Sequence, residues 1–93
     1  MKQPISYLKK AFAVCAAHGW EPVRVYDEEG SERVHSITEA LEAADAVEYA
    51  RIKMRKGRGD EAVFRYITYI PDARNPDQAV ADWSTDLPLH TAI

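Results

Sequence analysis

Six basic side chains crowd into a short stretch of the chain: Arg51, Lys53, Arg55, Lys56, Arg58 and Arg65. Arg51, Lys53 and Arg55 recur at every second position, and in a β-strand that spacing puts them on one face. Tyr49 and Tyr69 bracket them. Cations interleaved with aromatic rings on a sheet suit single-stranded nucleic acid, because the cations neutralise phosphates and the rings stack on bases. The blander alternative is a solvated strand whose Lys and Arg discourage edge-to-edge aggregation.

Other reactive residue types are sparse. The imidazoles are His18, His35 and His90, and their spacing matches no metal signature of the His-Glu-x-x-His kind. His18 falls at the end of a helical pattern, where the helix dipole favours a cation. Cys15 stands three residues before His18, on the same helical side. It lies inside an apolar stripe, where a thiol behaves as a small inert hydrophobe. Asp77, Asp82 and Asp86 flank Trp83, but paired carboxylates need a cleft to hold them at a defined separation. Gly57-Arg58-Gly59 is too short for a phosphate loop and lacks its Gly-Lys-Ser/Thr ending. No catalytic residues, cofactor or metal ligands are expected, and the chain does not read as an enzyme.

The elements that position these residues must come from one domain spanning residues 1–93. The composition is 46% hydrophobic and 29% charged, which suits a packed core and not a disordered chain. A single Cys excludes a disulfide framework and a Cys-based zinc site. No run approaches a membrane span and no export signal stands out, so the expected setting is the cytoplasm, with no membrane partner.

The net charge of −3 conceals strong segregation. Residues 1–20 carry +3, residues 21–48 carry −7, residues 49–65 carry +4 and residues 66–93 carry −3. An acidic block beside a basic one allows a homodimer built on complementary surfaces.

Residues 4–18 read as a helix, with Pro4 at its first position and Ile5, Leu8, Phe12, Cys15 and Ala16 as its apolar stripe. Gly19 suits its C-terminal cap. Val23–Tyr26 and Arg33–His35 suggest short strands around the acidic turn Asp27–Glu32. Ser36-Ile37-Thr38-Glu39 is a capping-box pattern opening a second helix that runs to about Ala46. Residues 47–55 and 62–70 are rich in β-branched and aromatic types and read as two longer strands. The second of these is apolar on both faces, so the pattern leaves open which side is buried. Asn75 and Pro76 suit the start of a third helix carrying Ala79, Val80 and Trp83 on one stripe. The tail from about residue 88 is expected to fray. The order α-β-β-α-β-β-α predicts an α+β fold: an antiparallel sheet of three to four strands packed by two to three helices.

Three segments resemble small proteins encoded in bacteriophages and prophages. They are Val23-Arg24-Val25-Tyr26-Asp27, Ala40-Leu41-Glu42-Ala43-Ala44-Asp45 and Ala79-Val80-Ala81-Asp82-Trp83-Ser84. The resemblance spans roughly residues 8–87. Members often have a Gly-Trp step in the fourth strand, where this chain has Ala62-Val63-Phe64-Arg65. The resemblance implies a bacterial host cytoplasm and brings no activity and no functional residues with it.

The leading expectation is therefore a non-enzymatic protein-interaction module of phage or prophage type, with a protein partner. The alternative is single-stranded nucleic-acid binding through the basic strand and loop at residues 51–65.

Overall fold

The computed structural model describes residues 4–71, 75, 78–84 and 87–89. Helix α1 spans Pro4–Ala17 and buries Leu8, Ala11, Phe12 and Cys15 at spacings of one turn. Ala11 completes the stripe, and Ala16 faces solvent. The helix stops at Gly19, whose φ of 87° lies in the left-handed region and whose amide reaches the Ala16 carbonyl at 3.1 Å. Helix α2 spans Ile37–Asp45. The Ser36 hydroxyl accepts from the Glu39 amide at 3.1 Å, and the Glu39 carboxylate accepts from the His35 amide at 2.6 Å. The capping box thus forms as expected from its sequence, with its return bond one residue earlier than usual.

Five strands form one sheet: β1 (Trp20–Tyr26), β2 (Ser31–Arg33), β3 (Ala50–Lys56), β4 (Val63–Tyr69) and β5 (Val80–Trp83). Their spatial order is β2-β1-β3-β4-β5, and every neighbouring pair is antiparallel. The acidic turn between β1 and β2 is closed by Asp27, whose carboxylate accepts from the amides of Glu29 and Gly30 at 2.7 and 2.9 Å. Between β3 and β4 the chain makes a 3₁₀ turn at Gly59–Glu61. Gly57 has φ 85°, and a Cβ there would stand 3.0 Å from the Glu61 carbonyl oxygen, so the hairpin needs glycine at that point.

The architecture is α+β, with an antiparallel sheet packed by two helices. It corrects the expected order in one place. Val80–Trp83 of the segment expected as a third helix is a strand, which makes the sheet five-stranded. The reason is a bulge at Ala81. Ile67 pairs with Trp83 and Tyr69 pairs with Val80, with the register shifting between them. The extra residue puts Val80 and Trp83, three apart, on the same side of the sheet, so a bulged strand imitates helical spacing. Pairing with β4 also satisfies an edge that would otherwise stand open.

Both helices pack on the same face of the sheet. Leu8, Phe12 and Cys15 from α1 and Ala40 and Ala44 from α2 meet Trp20 and Val25 of β1, Ala50, Ile52 and Met54 of β3, and Ile67 and Tyr69 of β4. The apolar ambiguity of β4 is thereby resolved: its odd-numbered positions from Ile67 onward are buried, while Phe64 remains 40% exposed. Leu87 and Leu89 are buried in the same core, and residues 90–93 lie outside the described residues.

Candidate nucleic-acid interface

Directly opposed residues in a sheet share a face, so the strand registers define the surface opposite the helices. One row across it reads Arg33–Arg24–Lys53–Tyr66 from β2 to β4. The next reads Ser31–Tyr26–Arg51–Thr68–Asp82 across all five strands. A third reads Glu21–Arg55–Phe64. Among the described residues no helix covers this face.

Cations and rings are in contact across it. The Arg51 guanidinium lies 4.2 Å from the centre of the Tyr66 ring, and the Lys53 ammonium lies 4.3 Å from that of Phe64. Both are diagonal cross-strand pairs, and each is worth about 0.5–1 kcal/mol at an exposed site. Tyr26 adds a tilted ring 6.5 Å from Tyr66. Arg55 forms a salt bridge with Glu21, and its Nε donates to the same carboxylate at 3.1 Å.

Two hollows flank this ridge. One, of 470 Å³, lies between β1, β2 and β3 and is lined by Glu21, Arg24, Arg33, His35, Lys53 and Arg55 among others, around the β1 bulge at Val23. The other, of 280 Å³, lies toward β5 and is lined by Tyr49, Arg51, Tyr66, Asp82 and Ser84 among others.

The sequence-derived cluster is therefore split. Arg51, Lys53, Arg55 and Tyr49 belong to the open face. Arg65 pairs with Met54 on the helix side of β4, and its guanidinium donates to the Phe64 carbonyl at 2.7 Å. Lys56 pairs with Trp20 at the end of β3, with its ammonium 5.9 Å from the indole. Arg58 precedes the 3₁₀ turn and is exposed. Tyr69 is fully buried. Its hydroxyl sits 3.4 Å from the Asp45 carboxylate. Burial, reinforced by the Asp45 charge, pushes its pKa up. Tyr69 therefore cannot stack on a ligand at the open face.

In their place the fold supplies Arg24, Arg33, Tyr26, Phe64 and Tyr66. Arg24 and Arg33 lie in the most acidic block of the chain, so a segment-by-segment charge count hides them. The β1 bulge also hides from alternation that Glu21 stands on the same side as Arg24 and Tyr26.

The remaining candidates stay apart from this face or from one another. Burial pushes the Cys15 thiol up to about 11, so it is a poor nucleophile. His18 bonds locally to the Val14 carbonyl at 3.0 Å. Asp82 accepts from the Trp83 amide at 2.9 Å, whereas Asp77, Asp86 and His90 lie outside the described residues. Among the described residues no cluster of His, Cys, Asp and Glu could hold a metal ion, and no helix is long and apolar enough to cross a membrane. Comparison with protein-family models, curated proteins and solved structures found no match.

Proposed function

We propose that the chain is a non-enzymatic binding module whose open sheet face takes single-stranded nucleic acid. The observation that carries this reading is the row Arg33–Arg24–Lys53. Like charges directly opposite one another weaken a sheet. Three in succession, beside Tyr66 and Phe64, make sense where an anionic ligand neutralises them. Exposed rings next to cations supply the other half of single-strand recognition, sequence-tolerant stacking. The overall charge of −3 includes Asp27, Glu28 and Glu29 in the β1–β2 turn and Glu39, Glu42 and Asp45 on α2, away from this face, whereas the carboxylates among its described rows are Glu21, paired with Arg55, and Asp82, bonded to the Trp83 amide.

The test is titration of a fluorescent oligonucleotide, DNA and RNA, at ~50 mM salt, where phosphate contacts are strongest. Binding should weaken with salt by about 0.7 log units per log unit for each neutralised phosphate. Combining Arg51→Glu, Lys53→Glu and Arg55→Glu should abolish it while the far-UV circular dichroism stays that of the parent. Absence of any binding by the parent chain at that salt would sink the reading.

A protein partner is the second reading, in keeping with a phage or prophage setting. It is favoured by Phe64, 40% exposed at one end of β4, which offers an apolar contact beside the cations of the open face.

A further inference from the structure

We infer that the 470 Å³ hollow between β1, β2 and β3 holds a phosphate monoester, the terminal phosphate of the bound strand. The inference rests on the reading of the open face as a single-stranded nucleic-acid interface and assigns its parts.

The hollow is unlike an ordinary small-molecule pocket, which is mostly apolar with a few polar groups. Four cations, Arg24, Arg33, Lys53 and Arg55, line it together with His35 and one carboxylate, Glu21. Among the described residues Arg55 is the only one of the four in a salt bridge, with Glu21. Arg24 is oriented by a bond from its guanidinium to the Ser31 hydroxyl at 2.9 Å, which leaves further N–H groups for a ligand. Arg33 and Lys53 flank Arg24 as its direct cross-strand partners.

A phosphodiester inside a strand carries one negative charge, whereas a monoester at an end carries about −1.5 to −2 at pH 7. Three cations with no carboxylate partner among the described residues match the more highly charged group. Arginine adds a planar fork of donors that fits phosphate oxygens in pairs.

The rest of the face fits a strand anchored at that point. Tyr66 lies two strands from Arg24 in the same row, about 10 Å at the usual strand spacing. The second hollow, with Tyr49 and Tyr66 on its walls, lies beyond it. A chain end held at the bulge therefore directs its next bases over the aromatic half of the sheet.

The experiment compares one short oligothymidylate in three forms: unphosphorylated, 5′-phosphorylated and 3′-phosphorylated. At ~50 mM salt one phosphorylated form should bind about tenfold tighter than the unphosphorylated strand, the size of a good charge-assisted contact. Pyrophosphate should compete the phosphorylated form down to the affinity of the unphosphorylated one. Arg33→Gln should erase the difference between the forms, whereas Phe64→Ala should weaken all three alike. Circular dichroism confirms that both variants fold.

Equal binding of the three forms overturns the phosphate site and leaves the nucleic-acid reading standing. Loss of binding by all three forms of the parent chain overturns both. Tighter binding of a phosphoserine peptide than of either phosphorylated oligonucleotide overturns the assignment to a nucleic-acid end.

Discussion

The two faces of the sheet are built from alternate residues of the same strands and obey opposite rules. Toward the helices, Ala50, Ile52 and Met54 of β3 are fully buried among apolar neighbours. Toward solvent, Arg51, Lys53 and Arg55 of that strand stand among other cations and half-exposed rings. The first face gains from every contact it makes, since burial of apolar area stabilises the fold. The second tolerates like-charge repulsion across Arg33, Arg24 and Lys53, against which stand the Arg24 bond to Ser31 and the Lys53 contact with Phe64. Local rules against such repulsion are broken at functional or strained sites.

Substitutions should separate the two faces. The largest effect is expected on the helix side. Phe12→Ala, at a fully buried position of α1, should cost about 3–5 kcal/mol in urea unfolding. A small loss there would mean that α1 packs loosely and that the contrast between the faces is overstated.

A smaller effect on the same side comes from Tyr69. Tyr69→Phe should lose about 1 kcal/mol through its bond to Asp45. The pH dependence has a definite sign. Tyr69 and Cys15 both have folded pKa values raised by burial, so the native state holds their protons more tightly than the unfolded chain. Their contribution is complete below the unfolded values, near 9 for the thiol and about 10 for the phenol, and is lost as pH rises through and beyond them. Thermal melts from pH 8 to 11 should show declining stability, less steeply in Tyr69→Phe. The Cys15 thiol should react with a disulfide reagent at pH 8 only as fast as the protein opens.

The smallest stability change, and the one that sharpens the contrast most, is Arg24→Gln. Relief of repulsion from Arg33 and Lys53 should leave stability unchanged or raise it by roughly 0.2–1 kcal/mol. The same change should weaken oligonucleotide binding and reduce its salt slope by about 0.7. A clear loss of stability in Arg24→Gln would instead make the cationic row a structural feature.

Much of the helix side was legible in the chain. The periodic stripe from Leu8 to Cys15, the Ser36 cap and the β-branched runs in β3 and β4 are local signals, and local signals survive folding. The Arg51-Lys53-Arg55 alternation was equally legible, and the structure keeps those three on one face. Two bulges hid the rest. At Val23 and Ala81 one extra residue converts strand spacing into something close to helical spacing. That disguised β5 as a helix and concealed the alignment of Glu21 with Arg24. Tyr69 misled for a different reason: its ring is as suited to a core as to a stacking platform, and composition does not state a strand's orientation.

By itself the sequence determined the α+β class, the caps of α1 and α2 and the polarity of β3, because the signals for these elements lie within a turn or two of one another. Only the tertiary structure decided which side of β4 is buried, that β5 closes the sheet, and that two arginines from the acidic block stand beside the basic strand. Those outcomes depend on cross-strand register, which links residues far apart in the chain through backbone hydrogen bonds that carry no mark in local composition.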